Sequence, residues 1–138
     1  MSTFKIEEML NEVVYDLIPT NKEVQVVVKG IAWESYPDNH IIISIEDYEP
    51  IVLSFNCSKL ELQKEMFKKA LVSIARAIDY PETRITLQGM SDWVKAQKKP
   101  LKIRVVRRVT SKEYYDVSGK IQNVCHFSNY QLLPKAGR

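Results

Sequence analysis

One long amphipathic helix divides the predicted β-strands of this chain into two groups. Ser58 and Glu61 have the S-x-x-E spacing of a capping box, in which a hydroxyl and a carboxylate bind backbone amides at a helix start. Apolar residues then recur at positions 60, 67, 71, 74 and 78, which predicts a helix of about 20 residues ending near Tyr80 and Pro81. Any fold for this chain must therefore include strands that precede this helix in the sequence and strands that follow it.

Three strands are predicted before this helix. Residues 23–34 are rich in valine, and Gly30 interrupts them as a glycine does at a bulge or bend in a long strand. Turn-forming residues follow at 35–39. The next two strands are HIIISIED and IVLSF, separated by a short connection at 48–50.

Two strands are predicted after the helix. In LKIRV, residues 101–105, apolar and basic residues alternate with the period of a half-buried strand. Val106 followed by arginines at 107–108 breaks the alternation, which indicates a bulge. The sequence DVSG at 116–119 is typical of a reverse turn, and the last strand is predicted from about 120 to 133.

Two further helices are predicted. Residues 1–18 carry apolar side chains at spacings of three and four with acidic residues between them, and Pro19 ends this N-terminal helix. Ser91 is a candidate cap for a short helix, DWVKAQKK, that Pro100 must terminate.

The order of these elements predicts a mostly β, α+β fold in a single domain spanning residues 1–138. A five-stranded barrel with a helix between strands three and four is the oligonucleotide/oligosaccharide-binding (OB) arrangement. Here the OB-like barrel would span residues 23–133, with the extra N-terminal helix at 1–18. Another α+β sheet with helices packed on one face would give a similar order and is the alternative.

Charge is segregated along the chain. Residues 1–94 contain nine Lys and Arg against 15 Asp and Glu, a net charge of −6, whereas residues 95–138 contain 11 against two, a net charge of +9. Such asymmetry within one domain predicts a surface that binds a polyanion. The alternative is a solvated strand face whose charges only prevent edge-to-edge aggregation.

Single-stranded nucleic acid is held by cations along its phosphates and by aromatic rings that stack on its bases. The second half of the chain brings both residue types together. The predicted phosphate-binding residues are Lys98, Lys99, Lys102, Arg104, Arg107, Arg108, Lys112 and Lys120. The predicted stacking residues are Tyr114, Tyr115, Trp33 and Tyr36, with His126, Phe127 and Tyr130 on the return strand.

The rings of Trp33, Tyr114 and Tyr115 could each be either exposed or packed inward. Alternation places Trp33 on the same side of its strand as Gln25, Val27, Lys29 and Ile31, a mixture that fits either a core ring or an exposed one. Neighbouring strand residues alternate faces, so one of Tyr114 and Tyr115 is predicted to stack on a base and the other to pack inward, unless the hairpin is bulged there.

Other chemistry has weaker support in the sequence. Cys57, Cys125, His40 and His126 lack the paired spacing of a zinc site, and both cysteines are expected to be buried reduced thiols. The acidic residues at 46–49 suggest a nuclease metal site or, as the simpler alternative, a hydrated loop. The four glycines stand too far apart for a nucleotide-binding loop. We therefore expect no enzymatic activity, no metal and no cofactor.

Three stretches of the chain together resemble the small OB-fold single-stranded-DNA-binding proteins of bacteriophages, which are accessory factors for replication and recombination. These stretches are LPTNKEVQVVVKGIAW, KALVSIARAIDYPET and KKPLKIRVVRRVTSKEYYDVSGKIQNVCHFSNYQLL, within residues 18–133. In that family a Lys-Pro-Leu-like entry precedes a basic strand and a tyrosine-containing hairpin. The matching positions here are Pro100, Leu101, Tyr115, Gly119 and Asn123. The resemblance implies sequence-nonspecific binding of single-stranded DNA, with phage replication or recombination proteins as further partners. Members often end in an acidic tail, and this chain, which ends PKAGR, departs from that pattern.

The remaining expectations concern location and other partners. No apolar run approaches the roughly 20 residues needed to cross a bilayer, and the N-terminus lacks the pattern of a secretory signal, so we expect a cytoplasmic protein that does not enter membranes. The sequence leaves open a homodimer formed through the N-terminal helix. The alternative function is a protein-binding module, such as a small phage inhibitor of a host nucleic-acid enzyme.

Overall fold

The computed structural model of the protein describes residues 16–35, 39–55 and 59–135, with the backbone alone at positions 112, 122, 123 and 125. Within these residues the chain forms five strands and two helices. In chain order they are β1 (Glu23–Glu34), β2 (His40–Ile45), β3 (Ile51–Ser54), α1 (Leu60–Ile78), α2 (Leu87–Lys95), β4 (Leu101–Tyr115) and β5 (Ile121–Leu133). The predicted α+β class, mostly β, is confirmed.

All five strands belong to one antiparallel sheet with the order β3-β2-β1-β4-β5. β1 divides its pairing between two neighbours, because residues 23–28 pair with β4 and residues 28–34 pair with β2. The register of β1 against β2 shifts between Val28 and Gly30. The predicted irregularity at Gly30 is confirmed, and it lies where β1 passes from one neighbour to the other.

The sheet is open between its two edge strands. Cα atoms of β3 and β5 approach within 8 Å of each other, yet the two strands exchange no ladder hydrogen bonds along their described lengths. The strand order is the one that a five-stranded barrel would have if β3 and β5 were paired. The described strands thus form an open sheet with the strand order of such a barrel, and its closure through β3 and β5 stays a prediction.

Both helices cover the same face of the sheet and share one core with it. Side chains from β1 to β4 pack against the inner sides of α1 and α2. The buried members of this core include Val26 and Val28 of β1, Ile41 and Ile43 of β2, Ile51 of β3, Ile74 and Ile78 of α1, Met90 of α2 and Val105 of β4.

Helix α1 confirms the long helix predicted from sequence. It begins after Lys59, whose side chain makes no capping hydrogen bond, and the predicted cap Ser58 lies outside the described residues. The helix ends at Asp79, which adopts a left-handed conformation that aspartate tolerates better than most residues. The Tyr80 amide donates to the Ala75 carbonyl over 2.9 Å and closes the last turn.

Helix α2 begins earlier than the sequence analysis predicted. Its N-cap is Thr86, whose hydroxyl accepts a hydrogen bond from the Gly89 amide over 2.9 Å. Ser91, the predicted cap, lies within the helix and is buried against the core. The prediction was wrong because Thr86 satisfies the free amides of the first turn and leaves Ser91 free to serve as a small packing residue.

The N-terminal helix predicted for residues 1–18 falls mostly outside the described residues. Its last three positions are described and are not helical. The carbonyl of Asp16 accepts from the Glu49 amide over 2.9 Å, and the side chain of Ile18 is buried in the core. Residues 16–18 thus contact the core and Glu49 and are not part of a helix, whereas residues 1–15 lie outside the described part of the chain.

Strands β4 and β5 form a long hairpin without the bulge predicted at residues 106–108. Their register is uninterrupted from Arg104 opposite Leu133 to Tyr114 opposite Asn123, and it shifts only between Tyr114 and Tyr115. The prediction was wrong because Arg107 occupies a core-facing position, which preserves the alternation despite its charge.

The turn at the end of this hairpin forms where the sequence predicted it. One carboxylate oxygen of Asp116 accepts hydrogen bonds from the amides of Ser118 and Lys120, over 2.9 and 3.0 Å, and from the Ser118 hydroxyl. Gly119 has a φ of 88°, a conformation that favours glycine. These hydrogen bonds hold the pKa of Asp116 below its ordinary value, and the bond from the Ser118 hydroxyl contributes most.

Only part of the hairpin lies over the core. The buried residues of the two strands, Ile103, Val105 and Leu132, all lie near its open end. We call residues 101–108 and 128–133 the sheet base, and residues 109–127 the hairpin arm. The arm extends past the start of β1, since β1 begins at Glu23 opposite Val106.

Candidate nucleic-acid interface

The regular alternation of β4 sorts its basic residues by face. Ile103 and Val105 face the core, so Lys102, Arg104 and Arg108 lie on the opposite, solvent face. Residues directly opposite each other in a ladder share a face, which adds side chains of β5 to the same surface. We call this surface the outer stripe: Lys102, Arg104, Val106, Arg108, Thr110 and Tyr114 of β4, with Phe127, Asn129 and Gln131 of β5.

The outer stripe contains cations and rings but no carboxylate among its described side chains. The acidic side chain beside it is that of Glu23, at the start of β1, whose Oε1 lies 3.1 Å from Nη1 of Arg104. Glu113 occupies the other face of the arm, opposite Val124. The charge segregation seen along the sequence is therefore also a segregation between the two faces of one hairpin.

Arg104 is already committed to partners within the protein. Besides its ion pair with Glu23, it donates a hydrogen bond to the carbonyl of Pro134, just beyond β5. Its side chain is about one-third exposed. Arg104 thus ties the C-terminal end of β5 to the sheet, and its charge is largely offset by Glu23.

Arg107 lies on the core face and holds the N-terminal segment in place. Its Nη1 donates to the carbonyl of Ile18 over 3.1 Å and its Nε donates to the Ser128 hydroxyl over 2.8 Å. Its own carbonyl accepts from the Asn21 amide over 2.8 Å. The guanidinium predicted to bind phosphate is thus engaged inside the protein, on the face away from the outer stripe.

Two cations of the outer stripe keep their charge exposed. The side chain of Lys102 is exposed and makes no hydrogen bond or ion pair with any residue in the described part of the chain. Arg108 is exposed and donates to Oε1 of Gln131 over 2.8 Å, a neutral partner that orients the guanidinium without offsetting its charge. Lys120 is exposed at the tip of the arm, and only the backbone of Lys112 is described.

Lys98 and Lys99 belong to a lysine cluster beside the start of β4. They line a cavity of about 430 Å³ together with Lys29 of β1 and Lys95 of α2. Among the described residues that line it, Glu46 alone is acidic, and its Oε1 lies 2.5 Å from Nζ of Lys29. The sequence analysis missed Lys29 as part of this cluster because it lies 70 residues away in the acidic part of the chain; only the pairing of Val28 with Leu101 brings it close.

Both tyrosines of the arm are exposed. Tyr114 is 41% and Tyr115 58% accessible, and the ladder is irregular between them, which is the case that the prediction of one inward ring excepted. The arm has no core beneath it, and the register shift lies between these two residues. The Tyr115 hydroxyl donates to Oε2 of Glu113 over 2.5 Å, and this hydrogen bond, with a smaller effect of desolvation, raises the pKa of Tyr115.

Trp33 is exposed but lies apart from the outer stripe. Its side chain is 60% accessible and its register partner is Ile41, so it shares the core face beyond the edge of the core. The predicted grouping of Trp33 with Gln25 and Lys29 was wrong because the Val28–Gly30 bulge exchanges the faces of β1. The arm leaves the sheet at the opposite end of β1, about 33 Å away along the strand. Tyr36 lies outside the described residues.

A groove runs along the open seam between the two edge strands. Its volume is about 840 Å³, and its walls are β3 with Phe55 on one side and β5 with Phe127 on the other. Met66, Lys69 and Ser73 of α1 line its floor. Because Phe127 belongs both to this groove and to the outer stripe, the two surfaces are continuous.

Two other features, a metal site and a membrane-spanning helix, can be assessed in the described part of the chain. No three His, Cys, Asp or Glu side chains there converge as metal ligands would. Neither described helix is apolar over a length sufficient to span a membrane. Comparison of the chain with protein-family models, with curated proteins and with solved structures gave no match.

Proposed function

We propose that the protein binds single-stranded DNA without sequence specificity, along the outer stripe of the β4–β5 hairpin. The observation that carries this proposal is the composition of that face, where Lys102, Arg108, Tyr114 and Phe127 are all exposed and no described side chain is acidic. The lysine cluster around Lys98 continues the positive surface at one end of the hairpin.

The chemistry of the stripe suits the common parts of a nucleic-acid strand. Cations neutralise phosphates and release counterions, and exposed rings stack on bases with about 1–3 kcal/mol per base. The two amides of the stripe are engaged within the protein, because Asn129 donates to Thr110 over 2.7 Å and Gln131 accepts from Arg108. Each amide has one of its hydrogen-bonding groups taken in this way, which leaves less of the stripe for reading base edges and favours binding without sequence specificity.

The broader part of the proposal combines the strand order with the family resemblance. The sheet has the order of an OB barrel, and its edge strands lie within 8 Å of each other. We therefore propose an OB-type barrel in which the hairpin supplies the binding surface. In line with the resemblance to phage single-stranded-DNA-binding proteins, the protein would assist replication or recombination in the cytoplasm of the host cell, without a cofactor.

The test is a charge reversal on the stripe with a matched reversal elsewhere. The double variant Lys102→Glu, Arg108→Glu removes two positive charges from the stripe and adds two negative ones. The control Lys64→Glu, Lys68→Glu makes the same change of net charge on the exposed side of α1, where both lysines pair with glutamates of their own helix. Binding of fluorescent oligo-dT is measured by anisotropy at two salt concentrations, with thermal melting as the check of folding.

We expect the stripe variant to lose about tenfold or more in affinity and to show a shallower salt dependence, because fewer phosphates are neutralised. The control should stay within about twofold of the parent, apart from the general effect of net charge. Equal losses in both variants would show that net charge alone drives binding. A folded parent that binds no oligo-dT at low salt would contradict the proposal and leave an acidic protein surface as the partner of the stripe.

A further inference from the structure

The last strand of the sheet is an edge strand with an unusual sequence. β5 runs over 13 residues, IQNVCHFSNYQLL, without one Asp, Glu, Lys, Arg or Pro. Proteins commonly guard long edge strands with charges, prolines or short length, because unpaired amides and carbonyls are templates for another strand. The opposite edge of this sheet is guarded: β3 has four residues and follows Pro50 directly.

The two parts of the β5 edge have different surroundings. Residues 128–132 border the seam and face β3 across the groove. Residues 121–127 belong to the arm, where β4 is the one described strand that pairs with them, and Phe127 at their end also lines the groove. Three apolar side chains of this part are exposed, Ile121 at 55%, Val124 at 43% and Phe127 at 45%. Backbone groups and apolar side chains are thus presented together along one free edge.

We propose that residues 121–127 of β5 pair with the same edge of a second copy of this chain, in antiparallel orientation. A two-fold axis normal to the sheet, near Val124, would join the two hairpin arms into one four-stranded sheet. Such an axis keeps equivalent faces on the same side, so Val124 of one copy lies close to Val124 of the other.

A second copy fits this edge because β5 carries no Asp, Glu, Lys or Arg side chain that the same strand of another copy would repel. The chain carries a net charge of +3, and the basic residues of the arm lie on β4 and in the turn. Two copies that met through β4 with Lys112 at the axis would place the two lysines opposite each other, which is unfavourable for like charges in a ladder. Two copies that meet through β5 meet with no like-charged pair along the strand. This inference does not depend on the DNA-binding proposal.

The size of the contact sets its expected strength. Seven residues span about 23 Å of strand, and a contact of that length is small against the roughly 1,600 Å² of a standard interface. We therefore expect a dimer that forms and dissociates with concentration. Sedimentation velocity of the full chain over a concentration series should show the mass rising from 16.0 kDa towards twice that value.

Two matched variants locate the interface. Val124→Lys places a charge in the β5 edge, and Val109→Lys places the same charge at an equally exposed valine of β4, on the same face of the arm. We expect Val124→Lys to be monomeric at every concentration and Val109→Lys to dimerise like the parent. Melting curves that match the parent will show that both variants are folded, as expected for exposed positions.

A cross-link tests the orientation independently of stability. In a Cys57→Ser, Cys125→Ser background, Val124→Cys should form a disulfide-linked dimer under mild oxidation, because antiparallel neighbours near the axis lie within disulfide reach. Val109→Cys in the same background should remain uncross-linked. A parent that stays monomeric at its highest soluble concentration would overturn the proposal. So would a dimer that Val109→Lys dissolves and Val124→Lys leaves intact, since that places the contact on β4.

Discussion

The sheet base and the hairpin arm are parts of the same two strands, yet different forces hold them. In the base, Val105 is completely buried, and its neighbours Ile103 and Leu132 belong to the core. In the arm, the corresponding valine, Val109, is 44% exposed, and no described side chain of the arm is buried. The hydrogen-bond ladder is continuous through both parts.

Burial in the core stabilises the base beyond what backbone pairing provides. A two-stranded ribbon on its own is marginally stable in water. The base is fixed by burial, whereas the arm depends on its turn, on its ladder and on cross-strand contacts such as Ser111 Oγ with Nδ1 of His126 at 2.7 Å. We therefore expect substitutions in the base to change global stability and substitutions in the arm to change chiefly binding and association.

The largest difference should come from the two valines of β4. Val105→Ala should lower the free energy of unfolding by about 1.5–3 kcal/mol, because buried methyl groups are lost and a cavity remains. Val109→Ala should change it by no more than about 0.5 kcal/mol. Urea denaturation of both variants measures the contrast, and equal losses would mean that the arm packs on something in solution.

The adjacent arginines give the next contrast. Arg107→Ala removes the donor for the Ile18 carbonyl and the Ser128 hydroxyl, and we expect a loss of about 1–3 kcal/mol in stability. Arg108→Ala should melt like the parent and bind oligo-dT less tightly. An Arg107→Ala protein with unchanged stability would argue against its role in holding the N-terminal segment.

The turn of the arm supplies a smaller effect. Gly119 has a positive φ, so Gly119→Ala should cost about 1–2 kcal/mol in the arm. Gly30 lies at the β1 bulge with an ordinary φ, and a Cβ added there would meet no atom within 4 Å, so Gly30→Ala should be tolerated. Hydrogen exchange of the arm amides separates the two, since Gly119→Ala should speed exchange there and Gly30→Ala should not.

The smallest expected effect is a pH dependence confined to the arm. The pKa of Asp116 is lowered in the folded protein, so its contribution is complete at pH values above the ordinary aspartate range and is lost as pH falls through the folded value. Acidification should therefore shift the amide resonances of Ser118 and Lys120 while those of the base stay unchanged. Asp116→Asn should abolish this titration, and its persistence in that variant would assign it to another group.

Much of the fold could be predicted because the core imposes a period on the sequence. The limits of β1, the extent of α1 and the alternation at the start of β4 follow from apolar residues and their spacing, and the start of β5 follows from the turn at 116–119. The continuation of β4 to Tyr115 was harder to recognise, because the arm has no buried face and its sequence carries no alternation.

The candidate site was predictable in composition and less so in geometry. The basic residues that precede and follow Pro100 were identified from charge alone. The charge of a residue does not show which face of its strand it occupies, however. Arg107 was therefore predicted to bind phosphate although it faces the core. Trp33 was grouped with Gln25 and Lys29 because the alternation was continued through Gly30 unchanged. The glycine itself indicated a bulge, and one bulge there reverses every face beyond it.

The divided pairing of β1 has a mechanical consequence for the open seam. β2 and β3 are attached to the second half of β1, whereas β4 and β5 are attached to the first half. The sheet thus consists of two parts that share β1. The two parts meet at Val28–Gly30, which we call the joint, and their free edges are β3 and β5. A small change of angle at that joint is amplified across two strand widths on either side. The 840 Å³ groove lies between these two edges, so its width depends on the angle at this joint as well as on α1, which lines its floor.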